Sequence, residues 1–373
     1  MTGVQTCALP IFLSTLTWIE KALVRGDLNE RDLINYKRFK KHCAYQNLTN
    51  YFKNNTEIEY KGRSYFFLYQ NGNFSIEKNP SNGYIVPKIM YIPAERNFVS
   101  AVDKPDKLKY LPAPLVTFLT EYEKAKDEIK SSISLPINNT SFEYDKLNKI
   151  SHIKGADYKV RLSEASSGFQ SFVPLYLVSR SLALSLNQDV ASSKKELSVE
   201  EERRIKHEIK MILSNDKLSE EIKRVSLEVL SSRFKSSCFV NIVEEPEQNL
   251  YPFSQKEILF RLLEFANLNE NNRLVLTTHS PYIINFLSLA IKAKEVLNQI
   301  GSNNPRLADL EKIVPKTACI SSSDVVIYQQ KENGSVERLP TFEGLPSDDN
   351  FLNRLLSETN DLFINLLEIQ QKA

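Results

Sequence analysis

Two short apolar runs, each followed by a helical pattern, constrain the fold of this chain most strongly. Residues 238–245 (CFVNIVEE) and 272–280 (NRLVLTTHS) have the length and side chains of buried strands, and helices are predicted over 254–267 and 281–298. A strand–helix–strand–helix order places the two strands in one parallel sheet. The predicted fold class is therefore α/β, with a mixed, largely parallel sheet flanked by helices.

Other segments add helices and hairpins to this sheet. An alternating stretch with an Asn-Gly-Asn turn at 71–73 predicts one hairpin, and a second is predicted with its turn at Asn333-Gly334. A buried strand is predicted within 84–97. Further helices are predicted over 12–27, 113–132, 171–186 and 350–370.

Residues 12–373 are predicted to form one domain with two insertions. The first is a helical lid at about 101–150. The second is a charged helical insertion at about 190–235, where Glu and Lys recur at the spacing of a solvated helix face.

The first eleven residues differ from the rest of the chain. Met1–Ile11 resembles a short secretory signal but has no basic n-region and no small-residue cleavage site. Thr2–Ile11 also matches the translation of a common short-read sequencing adapter, whose preceding GTG is a permissible start codon. We interpret residues 1–11 as adapter-derived and expect the natural protein to continue upstream of Phe12; the alternative is a genuine disordered N-terminus.

Composition narrows the function classes. The chain has 373 residues, 42% hydrophobic and 25% charged, with a net charge of +2, so no global polyanion-binding footprint exists. The cysteines are scattered without a C-x-x-C spacing, which indicates neither a zinc site nor a disulfide framework. No apolar run approaches the ~18 residues of a membrane span. We expect a cytoplasmic protein without a membrane partner.

Three carboxylates follow the first apolar run: Glu244, Glu245 and Glu247. Carboxylates at the end of a buried strand hold a metal or polarise a water, although they also cap strands in solvent. Pro246 excludes helical geometry for Glu245 and ends the strand. The pattern predicts Glu244 near a metal ion and Glu245 near an attacking water.

His279 ends the second apolar run, one strand–helix unit after the acids. The same ligand could therefore meet both groups, and His is a suitable donor or sensor on the phosphate side. The alternative is a structural histidine after a strand.

Two further features are candidates for nucleotide binding. Ser166, Ser167 and Gly168 directly precede an apolar helix, where free backbone N–H groups and the helix dipole suit an anion; an ordinary serine N-cap is the alternative. Arg96 follows a buried strand in YIPAERN. It could contact a phosphate, couple domains or lie in a surface loop.

In this order the motifs resemble the ABC-class ATPase fold, a P-loop NTPase fold, of the AAA family ATPases related to OLD, RecF and SMC proteins. CFVNIVEEPEQNLYP resembles the Walker B strand, with Glu244 at the magnesium-side position, usually Asp, and Glu245 at the catalytic position. TTHS matches the segment of the switch histidine, His279. ASSGFQ resembles the signature loop, which in this family contacts the γ-phosphate bound by the opposite subunit, and YIPAERN resembles the segment around the Q-loop.

The resemblance spans Phe12–Ala373 and implies an ATPase that dimerises around ATP and Mg²⁺. In this family the cycle serves DNA handling or antiphage defence, which implies DNA and an effector protein encoded nearby as partners. The chain departs from the family because Glu244 replaces Asp and no G-x-x-x-x-G-K-[ST] phosphate loop occurs. We expect that loop upstream of Phe12, and expect the 373-residue chain alone to bind ATP poorly.

Two other function classes stay open. A non-hydrolysing scaffold or binding module is favoured by Glu244 and by the missing phosphate loop. A metal-dependent nuclease would use the glutamates, but an OLD-type nuclease needs a second acidic domain after the ATPase, and residues 280–373 contain no D-x-D motif.

Overall fold

The structure, a computed structural model, describes residues 8–34, 36–46, 48–53, 56–79, 85–102, 105, 110–187, 236, 238–301, 304–331 and 335–372. The helices are α1 Ala8–Arg25, α2 Glu30–Ile34, α3 Tyr36–Tyr45, α4 Phe98–Ala101, α5 Ala113–Asp127, α6 Ser167–Asn187, α7 Pro252–Ala266, α8 Pro281–Ile300, α9 Leu307–Glu311 and α10 Phe351–Lys372. The strands are β1 Ile58–Lys61, β2 Tyr65–Gln70, β3 Asn73–Lys78, β4 Pro87–Ile92, β5 Ser132–Ser134, β6 Ser141–Asp145, β7 Ile150–Lys154, β8 Lys159–Arg161, β9 Cys238–Glu244, β10 Arg273–Thr277, β11 Tyr328–Gln330, β12 Val336–Arg338, β13 Thr341–Phe342 and β14 Leu345–Pro346.

A parallel sheet in the order β10-β9-β4 lies at the centre of the fold. Helix α7 connects β9 to β10, so the predicted strand–helix–strand unit is confirmed. Thr277 pairs with Glu244, and Ile92 pairs with Val243. The carboxyl ends of the three strands therefore meet at one edge of the sheet, where ligands bind in open α/β sheets.

The other described strands pair antiparallel, in sheets β1-β2-β3 and β5-β6-β7-β8 and in the pairs β11-β12 and β13-β14. The fold is mixed α/β, and a parallel sheet with flanking helices is present as predicted, but this sheet is small, with three of the described strands. Short turns join most of the antiparallel strands, and a parallel neighbour would need a long crossover.

The two predicted hairpins have antiparallel strands. Asn71 and Gly72 connect β2 to β3 with φ values of 52° and 80°, as a type I′ turn requires. Strands β11 and β12 flank the second predicted turn. Its residues 332–334 lie outside the described residues.

The predicted helical lid at 101–150 was wrong in its second half. Helix α5 is present, but β5 and β6 follow it and β7 begins at Ile150. Residues 141–145 and 150–154 pair around Lys149, whose φ of 55° permits the tight turn. The predicted charged insertion at about 190–235 lies outside the described residues. Helix α6, which precedes it in the chain, ends at Asn187.

Helices cover the parallel sheet. Helices α1 and α6 both contact β4 and β9, and every residue of β9 is buried. This burial is expected for a parallel strand with both faces covered. The sheet edge that carries Glu244 is therefore supported by packed elements.

Among the described residues, the structure contains no helix with both the length and the apolar character needed to cross a membrane.

Candidate functional site

Glu244 is the last residue of β9, and its carboxylate is buried, with the residue 4% exposed. Oε2 accepts a hydrogen bond from the backbone N–H of Ala94, at 3.3 Å. Burial raises the pKa of Glu244, and hydrogen bonds from the Tyr91 side chain and the Ala94 backbone only partly oppose this.

The second oxygen of Glu244 has no donor among the residues that the structure describes. Oε1 is buried and accepts no hydrogen bond from the described residues, and buried polar atoms of this kind are uncommon. A Mg²⁺ ion fits such an oxygen, because Mg²⁺ is usually held by one or two carboxylates together with water and substrate phosphates. The described residues contain no group of three or more His, Cys, Asp or Glu side chains that could form a metal site by themselves.

Glu245 leaves the strand geometry. Its φ is 42°, in the left-handed region, while its backbone N–H still donates to the Thr277 carbonyl at 2.8 Å. A non-glycine residue in this region costs on the order of 1–3 kcal/mol, and such strain concentrates at functional sites. The side chain is one-third exposed and therefore accessible to water.

His279 lies beside Glu245, as the strand order predicted. Its Nε2 is 3.7 Å from Glu245 Oε1, and its side chain is 61% exposed. The His279 backbone N–H donates to Glu247 Oε1 at 2.7 Å. The loops after β9 and β10 are thus joined, and an acid and an imidazole stand together at the carboxyl edge of the sheet.

Arg96 is fully buried at 0% exposure. Its guanidinium donates to the carbonyls of Glu244 at 2.7 Å, Glu245 at 2.5 Å and Ser171 at 3.2 Å. Burial lowers its pKa to about 10, opposed by the charges of nearby glutamates, so it remains protonated at neutral pH. The predicted contact of Arg96 with a phosphate does not match this geometry, because backbone carbonyls occupy its donors.

Ser166, Ser167 and Gly168 lie at the start of α6. Both serines are exposed, and α6 begins at Ser167. A Cβ at Gly168 would lie 3.1 Å from the Asn249 carbonyl oxygen. The loop after β9 therefore packs against this helix start in the same chain.

Asn249 joins the two regions and was missed by sequence reasoning. Its Nδ2 donates to Ser171 Oγ at 3.1 Å, and its φ is 59°. Glu247 Oε2 and Gln248 Oε1 are also buried without a hydrogen-bond partner among the described residues. The dense polar run after Pro246 was the available signal, but its contacts with α6 and with the β10 loop depend on the tertiary fold.

Comparison with known families finds one match to the segment that carries the acids and the histidine. Residues 240–285 match the family described as "AAA domain, putative AbiEii toxin, Type IV TA system". The matched segment contains Glu244, Glu245 and His279 and supports an AAA-type P-loop ATPase family with a nucleotide-binding function. A search of curated proteins found no match.

Proposed function

We propose that this chain is an ATP-hydrolysing head of the ABC class, with β9 as its Walker B strand. The observation that carries the proposal is a buried oxygen of Glu244 that has no partner in the described part of the chain. It lies beside the Glu245–His279 pair, at the carboxyl edge of a parallel sheet. The family match covers the same residues. Phosphoryl transfer to water needs one carboxylate that holds a metal ion and another that orients the attacking water, and this pair of glutamates suits both tasks.

Each residue has a separate task in this proposal. Glu244 would hold Mg²⁺, which when bound supplies charge neutralisation at the phosphates. Glu245 orients the attacking water and accepts its proton. His279, exposed beside Glu245, donates a hydrogen bond on the phosphate side.

The start of α6 would act on a nucleotide bound by a second copy. Ser166 and Ser167 are exposed at the beginning of a 21-residue helix, where N–H groups lack intrahelical partners and the dipole favours an anion. Together with Gly168 they would close a homodimer around two ATP molecules. The resemblance to OLD, RecF and SMC proteins further suggests a cytoplasmic protein that acts on DNA or with an effector in antiphage defence.

Tests of this function need a phosphate loop, which supplies backbone donors and a lysine to the phosphates. The 373 residues contain no such motif. These tests therefore use an extended protein, defined as residues 12–373 preceded by a segment that carries such a loop.

The metal role of Glu244 predicts a loss of Mg²⁺-dependent affinity. In the extended protein, Glu244→Ala should weaken ATP binding about 10-fold or more in Mg²⁺, because contacts with charged groups contribute about 1.5–3 kcal/mol. Binding in EDTA should stay unchanged. Calorimetry under both conditions measures this, with the exposed acid Glu270 changed to Ala as the control.

Two results would contradict the proposal. Equal Mg²⁺ dependence in Glu244→Ala and the parent would remove the metal role of Glu244. An extended protein that binds ATP without turnover would favour the scaffold function instead.

A charge at Ser167 should stop turnover while ATP binding survives. Ser167→Glu places a carboxylate where the second copy's phosphate would lie, and it suits the helix start itself because acids stabilise helix N-termini. We expect at least ~10-fold slower hydrolysis, from repulsion worth more than ~1.4 kcal/mol. Ser167→Gln is the uncharged control, and phosphate release is the measurement.

Mixing variants tests whether Ser167 acts between copies. A mixture of Ser167→Glu and Glu245→Gln proteins should regain activity, because one site of the mixed dimer then has an intact Ser167 and an intact Glu245. Activity that fails to return would place Ser167 in its own chain's site.

A further inference from the structure

The C-terminal helix α10 exposes a broad apolar face. Residues 354–371 are all exposed. The large apolar side chains on it are 41–65% exposed: Leu355, Leu356, Leu362, Phe363, Ile364, Leu366, Leu367 and Ile369. Six of these, all except Ile364 and Leu367, lie on one side of the helix, and soluble monomers rarely leave so large an apolar patch uncovered. A partner is therefore expected on this helix.

The spacing of the apolar residues indicates that the partner is another helix. One row of the helix follows alternating steps of three and four residues, which is the heptad pattern of positions a and d in a coiled coil. Leu356 and Phe363 flank this row at position e. The row consists of Leu352, Leu355, Thr359, Leu362, Leu366 and Ile369.

We propose that α10 pairs antiparallel with α10 of a second copy of this chain. Reversing the direction of the row exchanges a with d, so the row is complementary to itself. Leu352 would face Ile369 of the second copy, Leu355 would face Leu366, and Thr359 would face Leu362. Each residue of the row would then face a residue of the row in the second copy, across the two-fold axis.

The charges of α10 are compatible with this pairing. Arg354, Glu358, Asp361, Glu368 and Lys372 all lie outside positions a, d and e. In the antiparallel pair, Leu356 would lie beside Phe363 of the second copy, so the flank at position e is apolar as well. The helix has 22 residues, about 33 Å at 1.5 Å per residue, which gives about three heptads.

A lipid surface suits α10 less well. Its polar side carries two basic residues, Arg354 and Lys372, against three acidic residues, a net charge of −1. Helices that lie on anionic membranes have a polar face rich in Lys and Arg. Binding to a bilayer would not need the heptad spacing of this row, whereas pairing with a second helix does.

The pairing does not require nucleotide. Helix α10 is held at its start, where the Phe351 N–H donates to Gln329 Oε1 at 3.3 Å and Arg354 contacts Asp349 at 2.9 Å. Two tethered chains would keep a second head at high effective concentration. The inference stands apart from the proposed ATPase activity and is tested without ATP.

The first test is the mass of the 373-residue chain in nucleotide-free buffer, by sedimentation over a range of concentrations. We expect a dimer, and Leu362→Glu should raise its dissociation constant at least ~30-fold, as for loss of a central anchor. Ile364→Glu is the matched control, because Ile364 is also exposed, at 52%, but lies off the row. A monomer at all concentrations, or equal effects of the two variants, would overturn the proposal.

The second test determines the helix direction and does not depend on a destabilising variant. Cys43, Cys238 and Cys319 are buried, so a Cys7→Ser background leaves added cysteines as the accessible sites. A short bis-maleimide should link the Leu352→Cys/Ile369→Cys double variant into dimers and should not link Leu352→Cys alone. Efficient linking of Leu352→Cys alone would show a parallel pair, and binding of a monomer to anionic phosphatidylglycerol vesicles would show a membrane helix; either result rejects the proposal.

Discussion

Glu245→Gln in the extended protein should bind ATP normally and hydrolyse it at least ~100-fold more slowly, the usual contribution of a general base. The amide keeps the shape of the side chain and one hydrogen-bond acceptor but cannot take a proton from water. Glu245 is one-third exposed and 3.7 Å from His279, so water reaches it without rearrangement of the sheet. A phosphate-release assay measures turnover. Light scattering on a Leu362→Glu background, in which pairing through α10 is weakened, should show a dimer that accumulates only in ATP and Mg²⁺.

The neighbouring acid provides the matched control. Glu247 accepts the His279 N–H through Oε1, and a Gln side chain can accept the same bond. Glu247→Gln should therefore keep most of the activity. His279→Ala should slow turnover with less trapping of the dimer, because Glu245 remains as the base. Parent-rate hydrolysis by Glu245→Gln would make the Walker B assignment wrong and favour the scaffold function.

The neighbourhood of the acids and His279 was predictable from sequence because of a topological rule. Two strands joined by one helix lie parallel, so residues that follow their carboxyl ends meet regardless of detail elsewhere. The register Thr277–Glu244 places Glu245 and His279 one and two residues beyond paired positions. Periodicity was sufficient for this part of the site.

The local geometry of Glu245 was not predictable in the same way. Strand alternation predicts that Glu244 and Glu245 point to opposite sides, but Glu245 has a φ of 42° and lies outside the strand. Its conformation depends on the Thr277 carbonyl and on Arg96. Both partners are distant in sequence, and no single-segment pattern encodes them.

The contacts of Arg96 show a second limit of sequence reasoning. An arginine after a buried strand has the same local signature whether it meets a phosphate or a carbonyl. Apart from the nearby Pro93 carbonyl, its partners come from 75 and 148–149 residues away. The small share of parallel strands has a similar origin. The turns at 71–72 and 146–149 determine antiparallel pairing locally, but the position of these hairpins beside the central sheet is determined by packing.

Replacing Arg96 should strongly destabilise the fold. Arg96→Met would remove the buried donor that the carbonyls of Glu244 and Glu245 share. The Glu245 carbonyl keeps the Gln248 N–H, and a buried group left unsatisfied costs about 1–3 kcal/mol. We expect a loss of about 3–5 kcal/mol in the free energy of unfolding, the range for breaking a buried charged network. Urea unfolding of the 373-residue chain measures this.

Arg96→Lys separates charge from geometry. Lysine keeps the positive charge but is a single point donor, and it cannot bridge two carbonyls as the planar guanidinium does. It should recover less than half of the lost stability. The control is Arg354→Met, since Arg354 forms an exposed ion pair with Asp349 and such pairs contribute about 0–1 kcal/mol.

The same variants decide between the two functions considered for Arg96. In the extended protein, a phosphate ligand would lose ATP affinity in Arg96→Lys and leave the unfolding curve almost unchanged. A buried residue that holds the end of β4, the β9 loop and α6 together should give the reverse: large destabilisation, with nucleotide affinity in the surviving folded fraction close to the parent. Arg96 donates hydrogen bonds to the carbonyls of both Glu245 and Ser171. Its replacement removes the common support of the water-orienting acid and the start of α6, so turnover should fall by a larger factor than ATP affinity.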